Sequence, residues 1–109
     1  MVCDLRKWFD VRILHSALSQ SKGFMFERPA KKALVFVFKK PKRVVFHMWF
    51  VFGPIDLIEL DATKRVLFVK EQFRPWQVYC LRFASTYVVE VPAGSARKLG
   101  IAKGKTLKW

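Results

Sequence analysis

The chain has 109 residues and a formal net charge of +13, which suits one domain, 1–109, and leaves little room for a second. Hydrophobic residues at 52% and aromatics at 16% exclude a disordered chain and supply a core without disulfide or metal staples. Asn is absent and Gln scarce, a depletion of thermolabile amides that fits a heat-adapted protein.

Trp8–Leu14 is a first candidate strand, and Ser16 suits the N-cap of a short helix, "ALSQSKG", stopped at Gly23. Ala33–Phe38, "ALVFVF", is apolar on both alternating faces, as in a strand covered on both sides. "KKPKR", Lys39–Arg43, then reads as the polar tip of a hairpin whose second arm is Val44–Phe52. Gly53-Pro54 forces a corner, because Pro cannot donate to a ladder. Ile55–Leu60 and Val66–Lys70 flank the turn "DATKR", and Trp76–Phe83 and Thr86–Val91 give two more strands. In the last of these, Tyr87, Val89 and Val91 share a face while Thr86 and Glu90 share the other, which predicts an outward Glu90. Pro92 stops that strand, Ala93–Leu99 fits a two-turn helix ended by Gly100, and Gly104 turns the chain into a final strand, Thr106–Trp109. The expectation is a mainly β fold: a compact antiparallel β-barrel or sandwich of about six to eight short strands with one or two short helices.

The longest apolar stretch, Val44–Phe52, falls far short of the roughly 20 residues that span a bilayer. The charged "MVCDLRKWFD" is no secretory signal, so a cytoplasmic location is expected. Cys3 and Cys80 form no CxxC; reduced thiols are expected, with a Cys3–Cys80 disulfide left open.

Asp56 and Glu59 differ by three positions in Ile55–Leu60, so one of them must occupy an aliphatic face and needs a partner there. Asp56 stands beside the Pro54 corner, where backbone N–H groups or an Arg would hold it. His47 shares a face with Val45, Trp49 and Val51 and reads as a core histidine; with only His15 besides, no zinc spacing exists, and neither metal nor cofactor is expected. GxSxG, HExxH, GxGxxG and P-loop patterns are all missing. Catalysis is left one route, a hydrolase or carbohydrate-active enzyme pairing the carboxylates of Asp56 and Glu90. The basic bias points instead to a binding module for an anionic ligand or nucleic acid, with Lys39, Lys40, Lys42 and Arg43 as anion-binding residues, Arg28 near them, and Phe24, Phe26, Trp76 and Trp109 as stacking faces. A third reading is a protein–protein interaction subunit built on exposed aromatics; the oligomeric state is left open.

Four stretches in order, "GFMFE", "ALVFVF", "HMWFVFGPIDLIELD" and "YVVEVPAGSARKLGIAKGK", resemble the uncharacterised family catalogued as domain of unknown function 192, over about Val11–Trp109. The matching positions are Gly23, Met25, Met48, Pro54, Asp56, Glu90, Pro92 and Gly94. The resemblance implies a compact β-rich barrel or sandwich and no established biochemical activity. The chain departs from bacterial members at His47–Val51, where Trp-Met-Lys-Asn-Thr is common, and at Gly104-Lys105, where Gly-Asp is. It looks like an archaeal, intracellular variant.

Overall fold

A computed structural model describes residues 2–15, 31–48, 51 and 53–109. Among these the chain order is β1 (Val2–Asp4), a 3-10 turn (Leu5–Lys7), β2 (Asp10–Leu14), β3 (Lys32–Lys42), β4 (Val45–His47), β5 (Ile55–Leu60), β6 (Val66–Phe73), β7 (Val78–Cys80), β8 (Ser85–Pro92), α1 (Ser95–Leu99) and β9 (Thr106–Lys108). The fold is mainly β, as the two-residue hydrophobic rhythm predicts. Five strands form one sheet in the order β2-β3-β8-β5-β6, and two ribbons, β1-β9 and β4-β7, lie outside it. The sheet keeps two edges, so the layers make a sandwich-like stack and not a closed barrel. The helix expected from Ser16 to Gly23 falls outside the described residues, as do Met25 and Arg28.

β3 and β5 are apolar on both faces because both faces are covered. One transverse row reads Ile13–Val35–Val89–Ile58–Val69. That side packs on Cys3, Leu5, Ala96, Ile101 and Leu107 from the N-terminal strand, the 3-10 turn, α1 and β9. The row one residue away reads Leu14–Phe36–Val88–Glu59–Phe68. Its side is roofed by the β4-β7 ribbon, through Phe46, Met48 and Leu81, with the Phe46 ring edge-on to Phe36 at 5.0 Å.

Several expectations are corrected. β2 pairs with β3, and β1 with β9, in parallel, so the architecture is mixed rather than antiparallel. β4 pairs with β7 and not with β3. The reason is steric: β2 and β8 already occupy both edges of β3, and the apolar β4 gains more by crossing to cover Phe36. Lys39–Lys42 is therefore no tight turn but the outer end of β3, where the register on β8 slips between Val37 and Lys42. The strand expected at Trp76–Phe83 shrinks to Val78–Cys80, since Trp76 takes a left-handed φ of 69° in the preceding turn. The β5-β6 hairpin forms as read, its turn held by Asp61, whose carboxylate accepts from the N–H groups of Thr63 and Arg65 at 2.8 and 3.1 Å.

Glu59 ties the β7–β8 connection to the sheet. Fully buried, it accepts from the Tyr79 hydroxyl at 2.7 Å and from the N–H groups of Arg82 and Phe83 at 3.1 and 2.8 Å. Burial, with this carboxylate as acceptor, pushes the Tyr79 phenol well above its ordinary range. Removing the hydroxyl in Tyr79→Phe takes away one charge-assisted bond but leaves Glu59 two N–H donors. A loss of about 2 kcal/mol is expected in urea unfolding, with the native fold kept by circular dichroism.

Candidate functional site

β5 presents two buried carboxylates to opposite faces of the sheet. Asp56 is fully buried on the α1 side. Its Oδ1 accepts from the Gln72 N–H at 3.1 Å, and its Oδ2 accepts from the N–H groups of Gly94 and Ala96, both at 3.0 Å. The donors are thus not those of the adjacent Pro54 corner but come from 16, 38 and 40 residues away. Gly94 is the N-cap of α1, has no side chain to cap with, and sits at φ +89°. Asp56 supplies the missing cap from the neighbouring strand, satisfying N–H groups that a helix start leaves orphaned. A Cβ at Gly94 would meet nothing within 4 Å, so glycine is required there by backbone conformation and not by space. The third donor, Gln72, has φ 55° in a bulge of β6, where Asp56 alone on β5 opposes Glu71 and Gln72.

Pro54 and Pro92 complete this lock. Ile55 pairs with Pro92, and the Pro54 carbonyl accepts from the Ala93 N–H at 3.2 Å. The stretches "GPID" and "VPAGSA", distant in sequence, therefore meet as one unit. Met48 belongs to the opposite side, buried beneath the ribbon, with its carbonyl accepting from the Trp76 N–H at 2.8 Å. His47 is half-buried on β4, beside Val78 of β7.

Glu90 does not point outward. It is 4% exposed in the central strand β8, between Leu34 of β3 and Leu57 of β5. The alternation misled because Val88 shares the face of Thr86 and Glu90. Since Leu57 shares that face, its neighbour Asp56 takes the other. The sheet itself separates Asp56 from Glu90, and the paired-carboxylate route to catalysis loses its geometry. Burial raises the Glu90 carboxyl to about 8, so at neutral pH the folded chain carries it protonated. Among the described residues no three of His, Cys, Asp and Glu come together in a way that would hold a metal ion.

The predicted basic residues fall at one end of the molecule. Lys39, Lys40, Lys42 and Arg43 are exposed along the outer end of β3. The Arg43 Nε donates to the Leu81 carbonyl at 2.9 Å, which brings the exposed Arg82 to the same rim; its guanidinium lies 5.0 Å from the Phe68 ring centre. Arg82 and the part-exposed Phe83 were missed from sequence, because only the β4-β7 pairing carries them to the end of β3. Trp109, expected as a stacking face, is engaged instead: it meets Tyr87 edge-on at 5.1 Å and holds the Lys64 ammonium at 4.2 Å.

Residues 2–109 match the model of DUF192, described as "Uncharacterized ACR". The chain belongs to the DUF192 family. It is 32% identical over 101 residues to a UPF0127 protein of Thermococcus kodakarensis, covering 91% of this chain and 64% of that one. A UPF0127 protein of Pyrococcus abyssi is 33% identical over 101 residues, covering 91% and 85%. The chain thus spans less than two thirds of the Thermococcus relative's length. Among solved structures, a protein of unknown function from Novosphingobium aromaticivorans superposes with a TM-score of 0.83 at 25% identity, over 93% of this chain and 75% of that one. A Sinorhizobium meliloti protein, provisionally named a transcription regulator, gives 0.81 at 22% identity, over 88% and 78%, and shows a likeness of fold alone. This family is uncharacterised, and these archaeal relatives come from heat-loving organisms.

Two outcomes follow from the carboxylates. Asp56→Ala strands three N–H groups and should cost about 4 kcal/mol in urea unfolding. Asp56→Asn should fall between, because one amide oxygen can serve Gly94 and Ala96 while the NH2 then faces the Gln72 N–H. For Glu90 the folded value of about 8 lies above the ordinary 4.5. Below 4.5 both states keep the proton; between the two values only the unfolded chain releases it. Stability therefore falls as pH rises across that window, by up to about 1.4 kcal/mol per pH unit, and levels off above it. Denaturation midpoints of wild type and Glu90→Gln should diverge from pH 5 to pH 8, the Gln variant gaining.

Proposed function

We propose that this chain is a single-domain, cytoplasmic, non-catalytic binding module for nucleic acid, engaged through the cationic outer end of β3. The observation that carries the reading is the placement of charge. Three of the chain's eight acidic residues, Asp56, Glu59 and Glu90, are buried; Asp56 and Glu59 are turned to N–H groups and the Tyr79 hydroxyl, and not to side-chain cations. Of the four others among the described residues, Asp4 caps the 3-10 turn, Asp10 pairs with Arg12 at 3.7 Å, Asp61 holds a turn and Glu71 pairs with Arg97 at 3.5 Å. None of these neutralises Lys39, Lys40, Lys42, Arg43 or Arg82. A row of cations on an extended strand follows a phosphate backbone well, and Phe83 beside it offers a ring for a base.

Both cysteines are free thiols, which suits a reducing compartment. Among the described residues no helix is long and apolar enough to cross a membrane.

Fluorescence anisotropy with short single-stranded RNA and DNA across a salt series tests the reading. The expected result is affinity that falls linearly with salt on logarithmic axes, the slope shrinking by about 3 when Lys39, Lys40, Lys42 and Arg43 are all replaced by Ala. No binding at low salt, or an unchanged slope in the quadruple variant, overturns it.

A further inference from the structure

A second cationic feature lies off the sheet, beside α1 and the β1-β9 ribbon. Beside α1, a groove of about 400 Å³ opens between the 3-10 turn and the segment leading into β9. That volume lies within the range of about 300–1,000 Å³ usual for small-molecule sites. Lys7, Lys98 and Lys105 line it, together with Trp8 and the apolar Leu99 and Cys3.

Three features mark it as more than a surface dent. Trp8 is 55% exposed although it is among the largest apolar side chains, and it lines the groove together with three lysines. The Lys105 ammonium lies against Gly100, 3.7 Å from where a Cβ would be, which places it at the end of α1 close to Lys98. Cys3 is 8% exposed, and its thiol is raised by burial with Lys105 only partly opposing, which leaves a neutral lining under the cations. The acid in the lining, Asp4, turns its carboxylate to the Arg6 N–H at 3.1 Å. The neighbouring hollow on the far side of α1 differs: there Arg97 is paired with Glu71 at 3.5 Å.

We propose that this groove binds a nucleoside monophosphate, its phosphate among Lys7, Lys98 and Lys105 and its base against Trp8. Flat rings stack on an exposed indole, and a compact dianion suits three point-charge donors. The site stands apart from the strand-end surface and does not depend on it.

Titration of the full chain with AMP, adenosine and ribose 5-phosphate, followed by calorimetry and by the Trp8 indole N–H resonance, decides the matter. AMP should bind with a Kd on the order of 0.1–1 mM, while adenosine and ribose 5-phosphate bind about tenfold more weakly. Trp8→Ala should weaken AMP about tenfold and leave ribose 5-phosphate unchanged; Lys105→Ala should weaken both by about fivefold. The quadruple β3 variant should bind AMP as wild type does, which separates failure of this site from failure of the nucleic-acid reading. An unmoved indole resonance at about 5 mM AMP, or AMP and ribose 5-phosphate binding equally with no effect of Trp8→Ala, overturns the proposal. Lys98→Glu, at an exposed position, gives a variant that should fold normally and still lose AMP binding; retained affinity there also sinks it.

Discussion

A single carboxylate decides how the two layers on one side of this molecule are joined. Asp56 takes N–H groups from a β6 bulge and from the start of α1, and the Glu71–Arg97 pair at 3.5 Å adds a more exposed link between the same two elements. A five-residue helix has little stability of its own, since its nucleation cost is barely recovered. α1 exists because its first N–H groups find a buried anion and because Ala96 packs into the core. The left-handed backbone at Gln72 adds strain that this fixed acceptor helps to hold in place. Remove the anion, and both the bulge and the helix lose their common anchor.

Much of the fold was legible because it rests on local pattern. Strands apolar on both faces imply a sheet covered on both sides, and Ile55–Leu60 is buried throughout. The turn at Asp61, the stop at Pro92, and the glycine after α1 follow from residue chemistry alone. What failed was partnership at a distance. Nothing in Lys39–Arg43 says that β3 already has neighbours on both edges, so a hairpin was the natural expectation and a crossover the outcome. Glu90 was misplaced because its face was judged by Thr86 alone, while Val88, between them on that same face, was left out of account. The weight of Asp56 was visible from its aliphatic surroundings; its donors were not, since they lie far along the chain.

The chain's acids and bases are sorted by depth. Asp56 and Glu59 work inside as acceptors for backbone N–H groups, where a cation would find nothing to hold it. Glu90 sits between leucines and keeps its proton at neutral pH, so the folded chain is more basic than its formal +13. Lysine and arginine, with long apolar stems and heads that prefer water, crowd the rim. The strong positive field is thus partly a result of how the core is built and not only of how many lysines the sequence contains.

The pairing of Val2–Asp4 with Thr106–Lys108 bears on the order of assembly. Strands more than a hundred positions apart meet late, because closing so long a loop is entropically slow compared with forming the β5-β6 hairpin. Lys7 and Trp8 come from one of these ends and Lys105 from the other. The hollow they shape is therefore absent from any partly folded chain and comes into being only when the last ribbon closes, so a molecule still emerging during translation would have a sheet before it had that hollow.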